Sequence, residues 1–227
     1  MNKLALFDID RTLILVSGAH LKSFSEGFKK VYGVDTGIEI INYHGATTQQ
    51  IIIEVLTKKG LSEQEIKSKI EECMEVMVDS FSRLAKNENI ILLEGVQQLL
   101  EELDKNNILM GLVTGGLEGI ARTMLKRAGI DHYFKVGGFG SDDINRTNLV
   151  KLAIKRAEEG FNFKLNNNVF LFGDAPQDMM AGKEAGIKTI GVTTGIYPGK
   201  QLKDAGADFV IENLINKERI LKEITKI

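Results

Sequence analysis

Apolar residues follow two rhythms along this chain. Leu4-Ala5-Leu6-Phe7 is an unbroken apolar run that stops at Asp8-Ile9-Asp10. A run this short and continuous predicts a strand buried on both faces, as in a parallel sheet. The spacing then turns helical: Phe24, Phe28 and Val31 recur through Ala19–Tyr32, and Gly33 follows where a helix stops. A second helix is expected from about Thr48 to Lys59, closed by Gly60. Ser62 with Glu65 forms a capping-box pattern. It opens one long helix with Ile66, Ile70, Cys73, Met77, Phe81 and Leu84 on a single stripe. The charged residues between these apolar positions read as a solvated face.

From Glu94 onwards strands and helices alternate. A helix from Gly95-Val96 carries Leu99, Leu100 and Leu103, and the strand Ile108–Val113 follows. A helix with Ile120, Met124 and Leu125 precedes a shorter strand near Tyr133–Val136. A helix from about Asn148 to Glu159 leads to the strand Val169–Phe172, and a helix around Gln177–Ala185 to the strand Lys188–Val192. The last units are a strand Phe209–Ile211 and a helix from Asn213. Such alternation implies right-handed crossovers and a parallel sheet covered on both faces. The expected fold is therefore a doubly wound α/β core, residues 1–15 and 90–227, with a helical insertion at 16–89 after its first strand.

Composition narrows the function. The chain has 227 residues, 43% of them hydrophobic and 26% charged, with a formal net charge of -2, so no basic surface for nucleic acid is expected. Cys73 is the one cysteine, which excludes an internal disulfide and a cysteine-rich zinc site, and its place on a helical stripe predicts core packing. The N-terminal apolar run breaks at Asp8, so no secretory signal is expected, and no stretch approaches membrane-spanning length. The expectation is a reduced, cytoplasmic, soluble protein; nothing in the pattern specifies an oligomeric state.

Chemistry is expected beyond the carboxyl ends of the strands, where open parallel sheets bind ligands. Asp8 and Asp10 lie two apart and emerge on the same side of the chain, together with Thr12. The strand ending at Val113 runs into Thr114-Gly115-Gly116, a hydroxyl and exposed amides in front of a helix, suited to phosphate. The strand ending at Phe172 runs into Gly173-Asp174-Ala175-Pro176-Gln177-Asp178, with Pro176 in the first helical turn and Asp178 four residues after Asp174. Four carboxylates (Asp8, Asp10, Asp174 and Asp178) converging at one sheet edge predict a hard divalent cation with oxygen ligands, and a shared phosphate points to Mg2+.

The set Asp8-Ile9-Asp10-Arg11-Thr12, Thr114-Gly115 and Gly173-Asp174…Asp178, in this order, resembles the haloacid dehalogenase superfamily over essentially the whole chain. The helical insertion resembles that family's cap, and the second carboxylate resembles its phosphate-transferring branch. Gly45-Ala46-Thr47-Thr48 resembles the specificity loop of phosphoglycolate-phosphatase-like members. The resemblance implies that Asp8 attacks phosphorus and that Asp10 protonates the leaving oxygen and then activates water. It implies magnesium held by Asp8, the Asp10 carbonyl and Asp174, with Asp178 supporting, and a phosphoryl group held by Thr114. Two departures stand out. Arg11 replaces the glycine common in the first motif and reads as a loop substituent. The third motif's lysine is missing, which leaves Arg146 or Lys151 to supply the cation; Arg146, expected in the loop Ser141–Thr147, is favoured, since Lys151 is expected inside the following helix.

His20 stands where phosphomutases of this superfamily also have histidine, so a mutase is the alternative to a phosphatase. His44, Lys58 and Lys59 are further candidates to meet a substrate anion. A non-catalytic binding protein would have lost Asp8 or Asp10, and both are present.

Overall fold

The computed structural model describes residues 3–15, 17–87 and 89–225. Six strands, β1 (Leu4–Phe7), β2 (Leu109–Thr114), β3 (Phe134–Phe139), β4 (Val169–Gly173), β5 (Lys188–Val192) and β6 (Phe209–Ile211), form one parallel sheet in the order β3-β2-β1-β4-β5-β6. The continuous apolar run of β1 is explained by its central place. Leu4 pairs with Leu109 on one side and Val169 on the other, and Phe7 with Leu112 and Phe172. Alternation along β1 splits its side chains between two cores. Leu4 and Leu6 pack with Leu149, Val150, Ala153 and Ile154 of α7 (Arg146–Gly160) and Ala181 of α8 (Pro176–Glu184). Ala5 and Phe7 face the opposite layer, built from α5 (Val96–Lys105), α6 (Glu118–Arg127) and α10 (Lys217–Thr225). The Phe7 ring stacks on Phe172 at 4.6 Å and meets Phe134 edge-on at 6.0 Å.

Between β1 and α5 the chain forms α1 (Gly18–Gly27), a π-helical turn (Phe28–Tyr32), α2 (Thr48–Lys58), α3 (Glu63–Ser68) and α4 (Ile70–Leu84). Their apolar stripes join the same core as Phe7, through Phe24, Ile52, Cys73, Met77 and Phe81. Burial raises the Cys73 thiol to about 12, so it is inert packing at neutral pH. No helix among the described residues is long and apolar enough to cross a membrane.

The departures from the sequence pattern have local causes. The stripe from Ser62 to Leu84 is not one helix. The Tyr32 hydroxyl donates to the Ile66 carbonyl at 2.7 Å, the acceptor Ile70 would use in an unbroken helix, and the chain turns at Lys69. β3 runs on to Phe139 through Gly137-Gly138, because a Cβ at Gly138 would sit 2.9 Å from the Leu149 Cα as α7 crosses the strand. α7 begins at Arg146 and not near Asn148, since the Asn145 side chain caps the Thr147 amide at 2.8 Å. The short α9 (Gly199–Asp204) buries only Leu202 and left no periodic signal. α10 starts at Lys217, later than expected, with the Asn216 side chain accepting from the Arg219 amide at 3.0 Å.

Phe7→Ala would remove the ring that two other aromatics enclose at the centre of the sheet. A loss of about 3–5 kcal/mol in unfolding free energy is expected, read from the urea midpoint at constant slope. A loss under about 1 kcal/mol would show that the stacked cluster contributes little.

Candidate active site

In this strand order the chain reverses direction of winding at β1, and a crevice opens where β1 and β4 end side by side. Asp8 follows β1 directly, and its amide donates to the Phe172 carbonyl at 2.9 Å. Asp174 follows β4, and Thr114 closes β2. Asp178 sits in the first turn of α8 behind Pro176, where its carboxylate accepts from the Ala175 amide at 3.2 Å. Carboxylate oxygens of Asp8, Asp174 and Asp178 all lie within 4.8 Å of one another, and all three residues are buried.

Arg146 holds this group together. Its Nη2 reaches Asp8 Oδ1 and Asp178 Oδ1, each at 2.6 Å, while Nε donates to Asp178 Oδ1 at 2.8 Å. Lys151 lies one and a half turns along α7 and is exposed. Arg146 is not in a loop, as the sequence suggested, but at the first position of α7, from which the side chain runs into the crevice.

The electrostatics follow from crowding. Burial, then the Asp178 charge, pushes Asp8 well above the usual carboxylate range, with Arg146 opposing and Asp174 and Asp10 adding. Burial and Asp178 raise Asp174 to about 7. Burial raises Asp178 as well, against Arg146 and the Ala175 amide. Arg146 stays charged despite its own burial because Asp178 and Asp8 flank it. Three carboxylates against one guanidinium would leave two negative charges in a buried space once all are ionised, and only oxygen donors are on offer. The set fits a hard divalent cation.

The Asp10 carboxylate is outside that cluster, a correction to the expected convergence of four. Its Oδ2 lies 3.8 Å from His20 Nδ1, and its Oδ1 is buried without a partner among the described residues. Any part for Asp10 in cation binding would fall to its main-chain carbonyl.

The turn after β2 meets a loop from the helical segment. The Thr48 amide donates to the Gly115 carbonyl at 2.8 Å, and a Cβ on Gly115 would lie 2.5 Å from the Ala46 oxygen. Glycine at 115 is what lets the two backbones touch. More bonds fasten the loop: Arg146 Nη1 to the Gly45 carbonyl (3.3 Å), Gln49 to Gly140 (2.9 Å) and Gln177 to His44 (3.2 Å). The Thr114 hydroxyl accepts from the Gly116 amide at 3.1 Å.

A cavity of about 80 Å³ remains, lined by Asp8, Asp10, His20, Thr114, Gly115 and Arg146 among others. Gly45 and Thr48 line it too, and the Thr48 hydroxyl has no partner among the described residues. Thr47, grouped with them in the sequence reading, does other work. It caps α2, and its hydroxyl donates to the Ile144 carbonyl at 3.0 Å. Lys58 is bound up with Glu54 and the Ile40 carbonyl, and neither it nor Lys59 lines the cavity. Leu21, Phe24, Ile38 and Ile51 form an apolar wall of this cavity, which no periodicity marks, since on a helical stripe a pocket residue and a core residue look alike.

Comparison with known proteins agrees with this geometry. The family described as haloacid dehalogenase-like hydrolase matches residues 5–192. The chain is 24% identical over 220 residues to the phosphoglycolate phosphatase of Pseudomonas fluorescens (strain Pf0-1), covering 93% of this chain and 77% of that protein. It is 28% identical over 221 residues to 2-deoxyglucose-6-phosphate phosphatase 1 of Saccharomyces cerevisiae, covering 93% of this chain and 87% of that protein. Its fold superposes on the crystal structure of a hydrolase from Pseudomonas syringae with a TM-score of 0.74 at 23% identity, over 98% of this chain and 99% of that one. One family thus spans the chain from β1 to the end of β5, and the protein belongs to the haloacid dehalogenase-like hydrolases.

Proposed function

We propose that this hydrolase is a magnesium-dependent phosphatase acting on a small phosphorylated metabolite, phosphoglycolate-like or a sugar phosphate, with residues 16–89 as its cap. The observation that carries the reading is Arg146 bridging Asp8 and Asp178 beside Asp174 at the end of β1. Asp8 is the nucleophile: one carboxylate oxygen bonds to phosphorus as the ester P–O bond breaks. Asp10 gives its proton to the departing ester oxygen. It then takes a proton from the water that attacks phosphorus, and the P–O bond to Asp8 breaks, releasing phosphate and restoring the enzyme. Thr114 and the amides after it hold the phosphoryl oxygens. Arg146 fixes the Asp8 carboxylate in one orientation and lowers the cost of bringing a phosphate dianion beside it. Asp8, Asp174 and Asp178 would hold Mg2+, which neutralises phosphoryl charge when bound.

The size of the cavity supports a small substrate. A water molecule needs about 10–15 Å³ on this measure, so about 80 Å³ admits a phosphoryl group and a short organic arm. A second reading, a phosphomutase, is favoured by one observation: His20 faces Asp10 at the wall of the cavity, where it could steady a bound sugar phosphate.

Asp8→Asn is expected to abolish phosphate release from p-nitrophenyl phosphate while leaving the circular dichroism spectrum unchanged. Retention of more than a small fraction of the rate would end the covalent mechanism. With wild type and β-glucose 1-phosphate, free phosphate supports the phosphatase and glucose 6-phosphate the mutase.

Chelation is expected to stop turnover and magnesium to restore it. The metal-free protein has its own signature. Asp174 holds its proton to about 7 when folded, against 3.8 ordinarily. In that window the folded chain binds more protons than the unfolded one, so this contribution to stability is full below the lower value and is lost as pH rises through 7. The urea midpoint of metal-free protein should therefore fall between about pH 4 and 7. Magnesium should flatten the fall and release protons on binding at pH 6. A midpoint independent of pH without metal would contradict the crowding.

Arg146→Ala is expected to cost about a hundredfold or more in kcat/KM. It should also cost about 3–5 kcal/mol in stability, because buried carboxylates lose their partner. Arg146→Lys should recover most of the stability. Lys151→Ala should change stability by less than about 0.5 kcal/mol. If Lys151→Ala were the damaging change, the cation role would pass to it.

A further inference from the structure

Arg11 lines the cavity, yet the hydrolytic machinery makes no use of it. Its backbone is left-handed, with φ at 62°, a conformation glycine adopts freely and a residue with a side chain adopts at a steric cost. The backbone is pinned there: its amide donates to the Ile14 carbonyl at 2.7 Å, and its carbonyl accepts from the Thr194 hydroxyl. The side chain is not tied down. Nε is buried without a hydrogen-bond partner among the described residues, and no ion pair among them takes up the guanidinium. Its charge acts on the loop of the helical segment, where, after burial, it is the second cause holding His44 below its ordinary pKa.

Other polar atoms of the same wall share this condition. His20 Nε2, Thr48 Oγ1 and Asp10 Oδ1 are buried, border the cavity and have no partner among the described residues. Buried polar groups are nearly always hydrogen-bonded, so a group of four such atoms around one cavity marks a place where a ligand completes the bonding. The phosphoryl side is already supplied by Arg146 and the Thr114–Gly116 turn. The unused donors belong to Arg11, α1 and the start of α2, next to the apolar wall of Leu21, Phe24 and Ile51. Against that wall a guanidinium is poorly served by neutral hydroxyls and well served by an oxyanion.

We propose that Arg11 selects substrates carrying a second anionic group, a carboxylate or a second phosphoryl group, a few bonds from the scissile ester. Thr48 and His20, on the same wall, hydrogen-bond to oxygens of that second anionic group. The inference rests on the phosphatase reading and narrows it, since sugar monophosphates without a second anion leave Arg11 unpaired. Losing a charge-assisted hydrogen bond of this kind weakens binding by about tenfold to a hundredfold.

The test uses Arg11→Gly, which suits the left-handed backbone, and Arg11→Lys. kcat/KM is measured for 2-phosphoglycolate, inorganic pyrophosphate and glucose 6-phosphate. The preference for the better two-anion substrate over glucose 6-phosphate is expected to fall about tenfold or more in Arg11→Gly, mostly through KM. Arg11→Lys should keep part of it. Whichever of phosphoglycolate and pyrophosphate loses more identifies the second anion. An unchanged preference, or an equal loss on all three, overturns the proposal, the latter because Arg11 would then serve the scissile phosphoryl group or the fold.

Calorimetry with magnesium separates this outcome from failure of the phosphatase reading. Asp8→Asn is titrated with the same three compounds, alone and combined with Arg11→Gly. If the two-anion compounds bind, and the second substitution weakens them selectively, Arg11 keeps its role even where wild type hydrolyses none of the three. If neither two-anion compound binds at millimolar concentration, or the weakening is equal for all, the role is lost even where hydrolysis stands.

Discussion

Three carboxylates and one guanidinium share a buried space at the ends of β1 and β4, and the rest of the molecule is arranged to permit it. Such a group is unstable by itself, since burial and mutual repulsion both disfavour ionisation. Each member is therefore fixed by backbone rather than by a flexible side chain. Asp8 and Asp174 continue adjacent parallel strands, so their separation is set by the sheet register. Asp178 stands in the first turn of α8, where the helix dipole favours a negative charge. Arg146 is the exception: a cation at the first position of α7 opposes that helix's dipole. It is held instead by the carboxylates it reaches and by the Gly45 carbonyl.

The same group couples the sheet to the helical segment. Arg146 spends its N–H groups in three directions, on Asp8, on Asp178 and on the Gly45 carbonyl. The loop bearing Gly45 is further fastened at Gly115, Gly140 and Gln177. These are main-chain and neutral amide bonds, each of which water can replace at little net cost, about 0.5–1.5 kcal/mol. The carboxylate bonds to Arg146 are charged and buried and do not exchange with water so readily. Movement of the loop therefore leaves the Asp8 orientation in place. Gly45 and Thr48 of this segment line the cavity of about 80 Å³, so the loop borders the space in which a ligand would sit.

Much of this was legible in the residues. The period of the apolar pattern marked every strand of the sheet, because a central parallel strand needs apolar side chains on both faces and tolerates no other reading. The three strand ends with Asp8, Thr114 and Asp174 were readable for the same reason: polar residues that interrupt such runs have few other uses. What escaped was decided by contacts distant in sequence. The break between α3 and α4 depends on a hydroxyl from Tyr32, 34 residues away, and leaves no mark on the stripe itself. The division of labour between Thr47 and Thr48 is a matter of one residue of helical phase at a cap. The Asp10 side chain leaves the carboxylate cluster because the chain stops being a strand after Phe7, and alternation no longer governs its direction.

The two positions where this chain departs from the superfamily pattern it resembles, 11 and 146, both carry arginine, and physically they differ. At 146, on the proposed assignment, arginine stands where the superfamily pattern has a lysine. A planar guanidinium can lie between two carboxylates and still present an edge to a carbonyl, which a single ammonium does less well. There the departure keeps the charge and adds direction, and every contact it gains is made within the protein. At 11 arginine stands where glycine is usual, in a backbone conformation that suits glycine. The backbone is held there by the Ile14 carbonyl and the Thr194 hydroxyl, while Nε is left without a partner among the described residues. A charged group at a strained position beside a cavity, its Nε without a partner among the described residues, is what the proposed second anion of the substrate would engage. On the proposed reading, position 146 belongs to the reaction and position 11 to the choice of what reacts.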